Sequence, residues 1–279
     1  MLEKLGVGTV QFGQAYGVSN QRGQVSKEEA AAILDRAAKA GIRLLDTAAN
    51  YGEAETILVA LDTSVFRVVT KTIGLSRGLD RVIARARQSA QSLKADTLLV
   101  HAANDLNGKD GEALWNALRH LKSEDVFRKI GISAYVADDP VALAERFRPD
   151  VMQLPFSLLD QRLLENGSLM RLQELGVEVH ARSLFLQGLL FLEELPTKLR
   201  HAAPRLAHVR KTLANADVTP LAAALGFVLA QREIAFGLVG VTSSKELDEI
   251  IAAAGQPLPR LDWASFALKD ELVLTPSLW

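Results

Sequence analysis

Residues 26–46 read SKEEAAAILDRAAKAGIRLLD, and the whole chain repeats the pattern of this stretch. Ser26-Lys27-Glu28-Glu29 is a capping box: the serine oxygen can accept from a first-turn N–H, and the glutamate three residues on can return the bond. Ala30, Ile33, Leu34 and Ala37 then recur at helical spacing, which predicts a helix with one apolar face, and Gly41 is its C-terminal stop. Ile42 to Asp46 follows as a short apolar run ending on a carboxylate.

The same alternation runs in both directions. Candidate strands are Leu5 to Val10, Ile42 to Asp46, Arg67 to Lys71, Thr97 to His101, Lys129 to Ser133, Val151 to Leu154, Val177 to Arg182 and Phe236 to Val241. Helical patterns separate them at Ala54 to Leu61, Leu79 to Leu93, Gly111 to Leu121, Pro140 to Phe147, Ser168 to Leu175, Pro220 to Gln231 and Lys245 to Ala254. Strands covered by helices on both faces are buried on both, so they read as nearly continuous apolar runs. Eight βα units in 279 residues, with no linker or composition break, predict an α/β fold: one parallel (β/α)8 TIM barrel domain over 1–279, ahead of a doubly wound open sheet. Phe191 to Asp217 overfills the seventh unit; Pro196 and Pro204 are expected to break its helical pattern, and its place is expected at the barrel mouth.

Composition narrows the function. With 32 basic and 33 acidic residues the net charge is −1, which gives no general attraction for nucleic acid or an anionic membrane and favours a small-molecule substrate. The absence of cysteine removes disulfides, thiolate nucleophiles and zinc–thiolate or iron–sulfur sites. Apolar runs such as Leu221 to Ala230 fall short of the roughly 18–20 residues of a membrane span, and Met1-Leu2-Glu3-Lys4 runs into the first strand without a signal-peptide core. The expected location is the cytoplasm.

The C-terminal ends of barrel strands converge on one mouth, so polar residues that close apolar runs are the candidates for chemistry. Asp46 closes the second strand, Lys71 the third and His101 the fourth, while Tyr51 follows the second in Asn50-Tyr51-Gly52. Each alone is more often a helix cap, a solvated rim charge or a satisfied core histidine than a catalytic group; four together are harder to dismiss. Asp46-Thr47-Ala48 through Tyr51-Gly52, Val69-Thr70-Lys71 and Val100-His101 resemble the tetrad motifs of the aldo-keto reductases, and Leu5-Gly6-Val7-Gly8-Thr9 resembles that family's opening strand.

The resemblance spans nearly the whole chain. It implies an NADP- or NAD-dependent oxidoreductase that interconverts a carbonyl and an alcohol, with Asp46, Tyr51, Lys71 and His101 catalytic and no metal required. It further implies cofactor contacts from Gly8, Thr9, Ser133 and Gln153, from Arg182, Ser183, Gln187 and Gly188 after the seventh strand, and from Thr242, Ser243, Ser244, Lys245 and Glu249 in the last loop and helix. Three positions depart from the pattern. Arg182 stands where many members carry an aromatic residue that stacks on the nicotinamide; a guanidinium there can stack, reach a phosphate, reach an acidic substrate, or close a strand-end salt bridge. Ala134 replaces an asparagine that commonly follows the serine. Glu246 lies near where NADP-preferring members often place an arginine for the 2′-phosphate; its carboxylate would repel that group and Lys245 could compensate, so both nucleotides stay open.

The chemistry of the four side chains agrees with that role. A phenol, with a pKa of about 10, is protonated at neutral pH and can donate to a carbonyl oxygen. An ammonium beside it would stabilise the phenolate left after proton transfer, and a carboxylate would hold that ammonium in place. A neutral imidazole can donate to the same oxygen and orient it. None of these groups can supply a hydride, so it has to come from a nicotinamide. Phe12, Tyr16 and Trp279 are candidate substrate walls, Trp279 being equally suited to a staple on the outer helices; Gln11, Gln14, Ser19 and Asn20 beside the first two suit a hydroxylated, sugar-like substrate. Two other readings stay open: a nicotinamide-binding redox sensor with little turnover, and a lyase or isomerase using Lys71 as a Schiff base.

Overall fold

Eight strands, β1 (Leu5–Gly8), β2 (Leu44–Asp46), β3 (Arg67–Lys71), β4 (Thr97–Val100), β5 (Lys129–Ser133), β6 (Val151–Pro155), β7 (Glu178–Arg182) and β8 (Ile234–Gly240), pair in sequence order in the computed structural model. All pairs are parallel and β8 returns to β1, which closes the barrel. Its outer helices are α1 (Lys27–Lys39), α2 (Ala54–Val59), α3 (Leu79–Leu93), α4 (Gly111–Ser123), α5 (Pro140–Phe147), α6 (Ser168–Glu174), α7 (Pro220–Leu229) and α8 (Ser244–Ala254). The structure describes residues 1–279, the side chain of Ser277 excepted. Among the described residues no single helix is long and apolar enough to cross a membrane, and no cluster of His, Asp and Glu could hold a metal ion.

The local signals at α1 act as expected with one exception. The Ser26 side chain accepts from Glu29 N at 3.2 Å, and Gly41 ends the helix at φ +82°. Glu29 does not return the bond to Ser26; its carboxylate crosses to accept from the backbone N–H of Ser244 at the head of α8. The insert after β7 also differs from expectation. A 3-10 turn, Thr197–Ala202, runs into a helix over Ala203–Asn215, and Pro204 lies in that helix's first turn, where a missing N–H does no harm. It starts the helix instead of breaking it. Leu206, Val209 and Leu213 are buried, so the insert helix packs on the body beside α7, and Phe191 alone of the insert reaches the mouth.

Inside the barrel Leu44, Val69, Leu99, Val151 and Leu238 form an apolar cluster separate from the larger core between strands and helices. Side chains alternate along a strand, so residues two further on share the inward face. Those are Asp46, Lys71, His101, Gln153 and Gly240. The apolar plug thus decides which side chains meet at the mouth.

The opposite end is closed by charge. Glu178 pairs with Lys129 and with Arg67 (3.4 Å), and lies 2.9 Å from Nε2 of the fully buried His180. Burial would raise the Glu178 pKa, but the hydrogen bonds from His180 and Lys129 prevail and lower it from 4.5 to about 2. A depressed carboxylate stabilises the fold fully above its unfolded pKa and loses that contribution as pH falls through the folded one. The thermal stability of the wild type should therefore fall as pH drops from 4.5 to about 2. Glu178→Gln should melt lower than the wild type at neutral pH and show a flatter acid limb; parallel pH profiles for the two proteins would refute the assignment.

Candidate active site

Asp46 and Lys71 are the last residues of adjacent strands, which brings their side chains together above the plug. Lys71 is 1% exposed, and its Nζ lies 2.7 Å from both Asp46 oxygens, 2.9 Å from Thr47 O and 3.4 Å from Tyr51 OH. Burial is the largest single influence and disfavours its ammonium, yet Asp46 and Tyr51 together outweigh it and raise the pKa. Lys71 therefore carries its charge, and an enclosed ammonium of this kind is not the free amine that Schiff-base chemistry needs. Gln153, on β6, donates from Nε2 to Asp46 Oδ1 at 2.7 Å, so it anchors the carboxylate from the far side of the mouth.

Tyr51 sits on the loop between β2 and α2, and backbone contact fixes that loop. A Cβ on Gly13 would lie 1.7 Å from Tyr51 O, and one on Gly52, whose φ is +51°, would lie 2.2 Å from Gly13 O. Neither position admits a side chain without moving the tyrosine. Behind the loop, the buried Glu55 of α2 accepts from Thr70 and Ser89 and pairs with Arg85, which ties α2 to the strand that carries Lys71. His101 lies one residue beyond β4 with its N–H on Thr72 Oγ1 (3.2 Å), and its ring meets Tyr51 edge-on at 5.7 Å. Burial first, and the Lys71 charge second, lower its pKa to about 4, so the imidazole is neutral at pH 7.

Asp46, Tyr51 and His101 reach the wall of a cleft of about 810 Å³, with Lys71 behind them. The cleft runs to the head of α8. Of the expected cofactor contacts, Gly8, Thr9, Ser133, Gln153, Arg182, Ser183, Gln187, Gly188, Thr242, Ser243, Lys245 and Glu249 line it. Thr9 is fully buried and its hydroxyl is committed to Asp46 O at 3.0 Å. Ser244 does not line the cleft, and its N–H is taken by Glu29. After β7 the chain turns through left-handed residues, Ser183 (62°), Leu186 (45°) and Gln187 (53°). The first mouth loop straps across to this turn: Ser19 Oγ donates to Gln187 O at 3.1 Å, and Gln187 Nε2 donates to Tyr16 OH at 3.3 Å.

Two of the three expected substrate walls are elsewhere. Phe12 is 0% exposed, because the turn Val10–Gly13 lays it into the core against α2. Trp279 donates from Nε1 to Leu272 O at 2.8 Å and packs on the outside of the barrel core, away from the cleft. Tyr16 does line it, joined by Tyr135, Phe185 and Phe191, which sequence reasoning missed. Tyr135 carried a usable signal, since it closely follows the end of β5; Phe185 and Phe191 reach the mouth only through the left-handed turn.

At the head of α8, Ser243 caps the helix by accepting from Glu246 N at 3.2 Å. The Glu246 carboxylate folds back to accept from Thr242 N (2.6 Å) and Thr242 Oγ1 (3.0 Å). With Glu29 on Ser244 N, two of the chain's own carboxylates occupy the positive end of this helix. Arg182, by contrast, has no carboxylate partner among the described residues, so a strand-end salt bridge is not formed; its guanidinium lies 4.3 Å over the Tyr135 ring and donates to Ala134 O at 3.2 Å.

This arrangement can be set against known proteins. The chain is 28% identical over 276 residues to the L-galactose dehydrogenase of Arabidopsis thaliana, covering 89% of this chain and 85% of that protein. It is 30% identical over 153 residues to an aldo-keto reductase of Mycolicibacterium smegmatis, covering 51% of this chain and 54% of the relative. Among solved structures, the holo form of an aldo-keto reductase from Bacillus halodurans superposes with a TM-score of 0.71 at 21% identity, over 94% of this chain and 90% of that one. The sequence profile of the aldo/keto reductase family matches residues 4–271, a span that runs from β1 through α8, and the chain belongs to that family.

Proposed function

We propose that this oxidoreductase uses NAD(H) to interconvert a small carbonyl compound and its alcohol, with Tyr51 giving and taking the proton at the substrate oxygen. The observation that carries the reading is the buried Lys71 ammonium, clamped by Asp46 and facing Tyr51 OH at 3.4 Å. A fixed positive charge beside a phenol stabilises the phenolate that proton donation leaves behind, at the step where negative charge develops. The neutral His101 donates a second hydrogen bond to the substrate oxygen and fixes its orientation without competing for the proton. Gln153 and Thr47 hold the Asp46–Lys71 pair so that its geometry does not depend on substrate.

The cleft suits a nicotinamide dinucleotide. Its volume falls in the upper part of the roughly 300–1,000 Å³ usual for small-molecule sites. Ser133 and Gln153 offer amide-binding groups beside the tetrad, and Lys245 offers a cation at the far end. Gln11, on the wall between β1 and β8, has its Oε1 buried without a hydrogen-bond partner, an acceptor suited to a hydroxyl. Bound there, the nicotinamide supplies the hydride that no side chain can.

The head of α8 supports NAD(H) over NADP(H). A 2′-phosphate arriving there would meet the Glu246 carboxylate on the cleft wall and compete with it for the Thr242 N–H, with Glu29 already holding the Ser244 N–H behind it. Equilibrium titration with the two reduced nucleotides should give a Kd for NADH at least about tenfold below that for NADPH, and Glu246→Gln should narrow the gap. Tighter binding of NADPH would overturn the preference. Turnover of reduced nucleotide over a panel of aldehydes and ketones tests the activity itself; binding without turnover would mark a redox sensor.

A further inference from the structure

We infer that Arg182 is an anion-recognition residue for the substrate, and that the natural substrate is a carbonyl or hydroxy compound bearing a carboxylate. The inference rests on the reductase reading above and deepens it.

Charge at the reactive end of the cleft carries the argument. Lys71 is neutralised by both oxygens of Asp46, and His101 is uncharged at pH 7. Arg182, the last residue of β7, is then the one uncompensated charge among the described residues at that end. It is half-buried and held by neutral groups: the Tyr135 ring at 4.3 Å, Ala134 O at 3.2 Å and Ser183 Oγ at 3.5 Å. Tyr135 is itself pinned, its N–H donating to Asp138 Oδ2 at 2.7 Å. The guanidinium is therefore positioned before any ligand arrives, and it sits near enough to the tetrad for its charge to add, after burial and Lys71, to the lowering of the His101 pKa.

A guanidinium partly removed from water and left without a counter-ion is an unfavourable state that an anionic ligand relieves. Its planar fork with free N–H groups matches a carboxylate, which it can grip through two parallel hydrogen bonds. The chain answers the backbone N–H groups at the head of α8 with its own glutamates, where Lys245 and Arg22 also line the cleft, whereas at the reactive end Arg182 is left without a carboxylate. The contrast places anion selectivity beside the reacting oxygen. Tyr16, Tyr135 and Phe191 supply apolar surface for the rest of a small molecule.

The test compares substrates matched except for charge: succinic semialdehyde against butanal, and D-glucuronate against D-glucose. In the wild type kcat/KM should favour the anionic member of each pair, mainly through KM. In Arg182→Met the anion-to-neutral ratio should fall by roughly 100-fold, the scale of a charge-assisted bidentate contact. Arg182→Lys, which keeps the charge without the fork, should recover part of it. Calorimetric titration with succinate, on the chain alone and saturated with NADH, reads the site without turnover, and binding should weaken at least about tenfold in Arg182→Met. An unchanged ratio with unchanged succinate binding overturns the inference. So does a variant that loses NADH affinity while keeping its charge preference, because Arg182 would then serve the cofactor. If no aldehyde is turned over yet succinate binds through Arg182, the reductase reading falls and the anion site stands.

Discussion

Tyr51→Phe should lower carbonyl turnover by roughly 10²–10⁴-fold, the usual worth of a positioned proton donor, while leaving the Kd for reduced nucleotide nearly unchanged. The substitution removes one oxygen at the edge of the cleft and keeps the ring that meets His101 edge-on, so packing survives. Lys71 keeps its two Asp46 contacts and its bond to Thr47 O, so the charge behind the phenol stays where it was. The loss should appear in kcat and kcat/KM together, as for an interaction made only in the transition state. Wild-type turnover in the variant would remove Tyr51 from the reaction. A proportional loss of nucleotide binding would mean that the loop, and not the acid, had been disturbed.

Lys71→Met should be the most destabilising of the single substitutions at the mouth. It strands the Asp46 carboxylate, 5% exposed, with Gln153 Nε2 as its remaining side-chain donor, and breaking a buried pair from one side costs about 3–5 kcal/mol. For a domain of this size that corresponds to a fall in Tm on the order of 10 °C. Turnover should collapse as well, since the phenolate loses its neighbouring charge. The double variant Asp46→Asn with Lys71→Met separates the two effects: it removes the orphaned charge, so most of the stability should return while turnover stays low. A single Lys71→Met protein that melts with the wild type would show that the pair is not a buried, dry one. Double-variant stability no better than the single would show that packing, not charge, was lost.

The sequence is legible where local signals suffice. The ends of α3 and α5, at Leu79–Leu93 and Pro140–Phe147, agree with the pattern residue for residue, because periodicity starts and stops cleanly there. The four tetrad candidates were readable because each closes or follows an apolar run, and the inward alternation above the Leu44–Val69–Leu99 plug brings them to one mouth. What was not legible depends on partners far away in sequence. Glu29 looked like half of a capping box, yet its carboxylate is bonded 215 positions away, at Ser244. Phe12 and Trp279 looked like pocket walls because an aromatic residue in a loop does not announce which side it faces; burial against α2 and a bond to Leu272 O decided otherwise. Gly13 and Gly52 carried no visible sign that they touch.

That contact has a consequence for how this mouth can change. Because the backbones at Gly13 and Gly52 meet with no room for a Cβ, the first loop and the tyrosine-bearing loop form one mechanical part. Variation that reshapes the rim through residues 14–24 can proceed freely on its outer side, but the hinge it hangs from is shared with Tyr51, the proposed proton donor. Anyone grafting a new specificity loop onto this barrel would have to transplant the two glycines as a pair, or accept a displaced Tyr51 along with the new pocket.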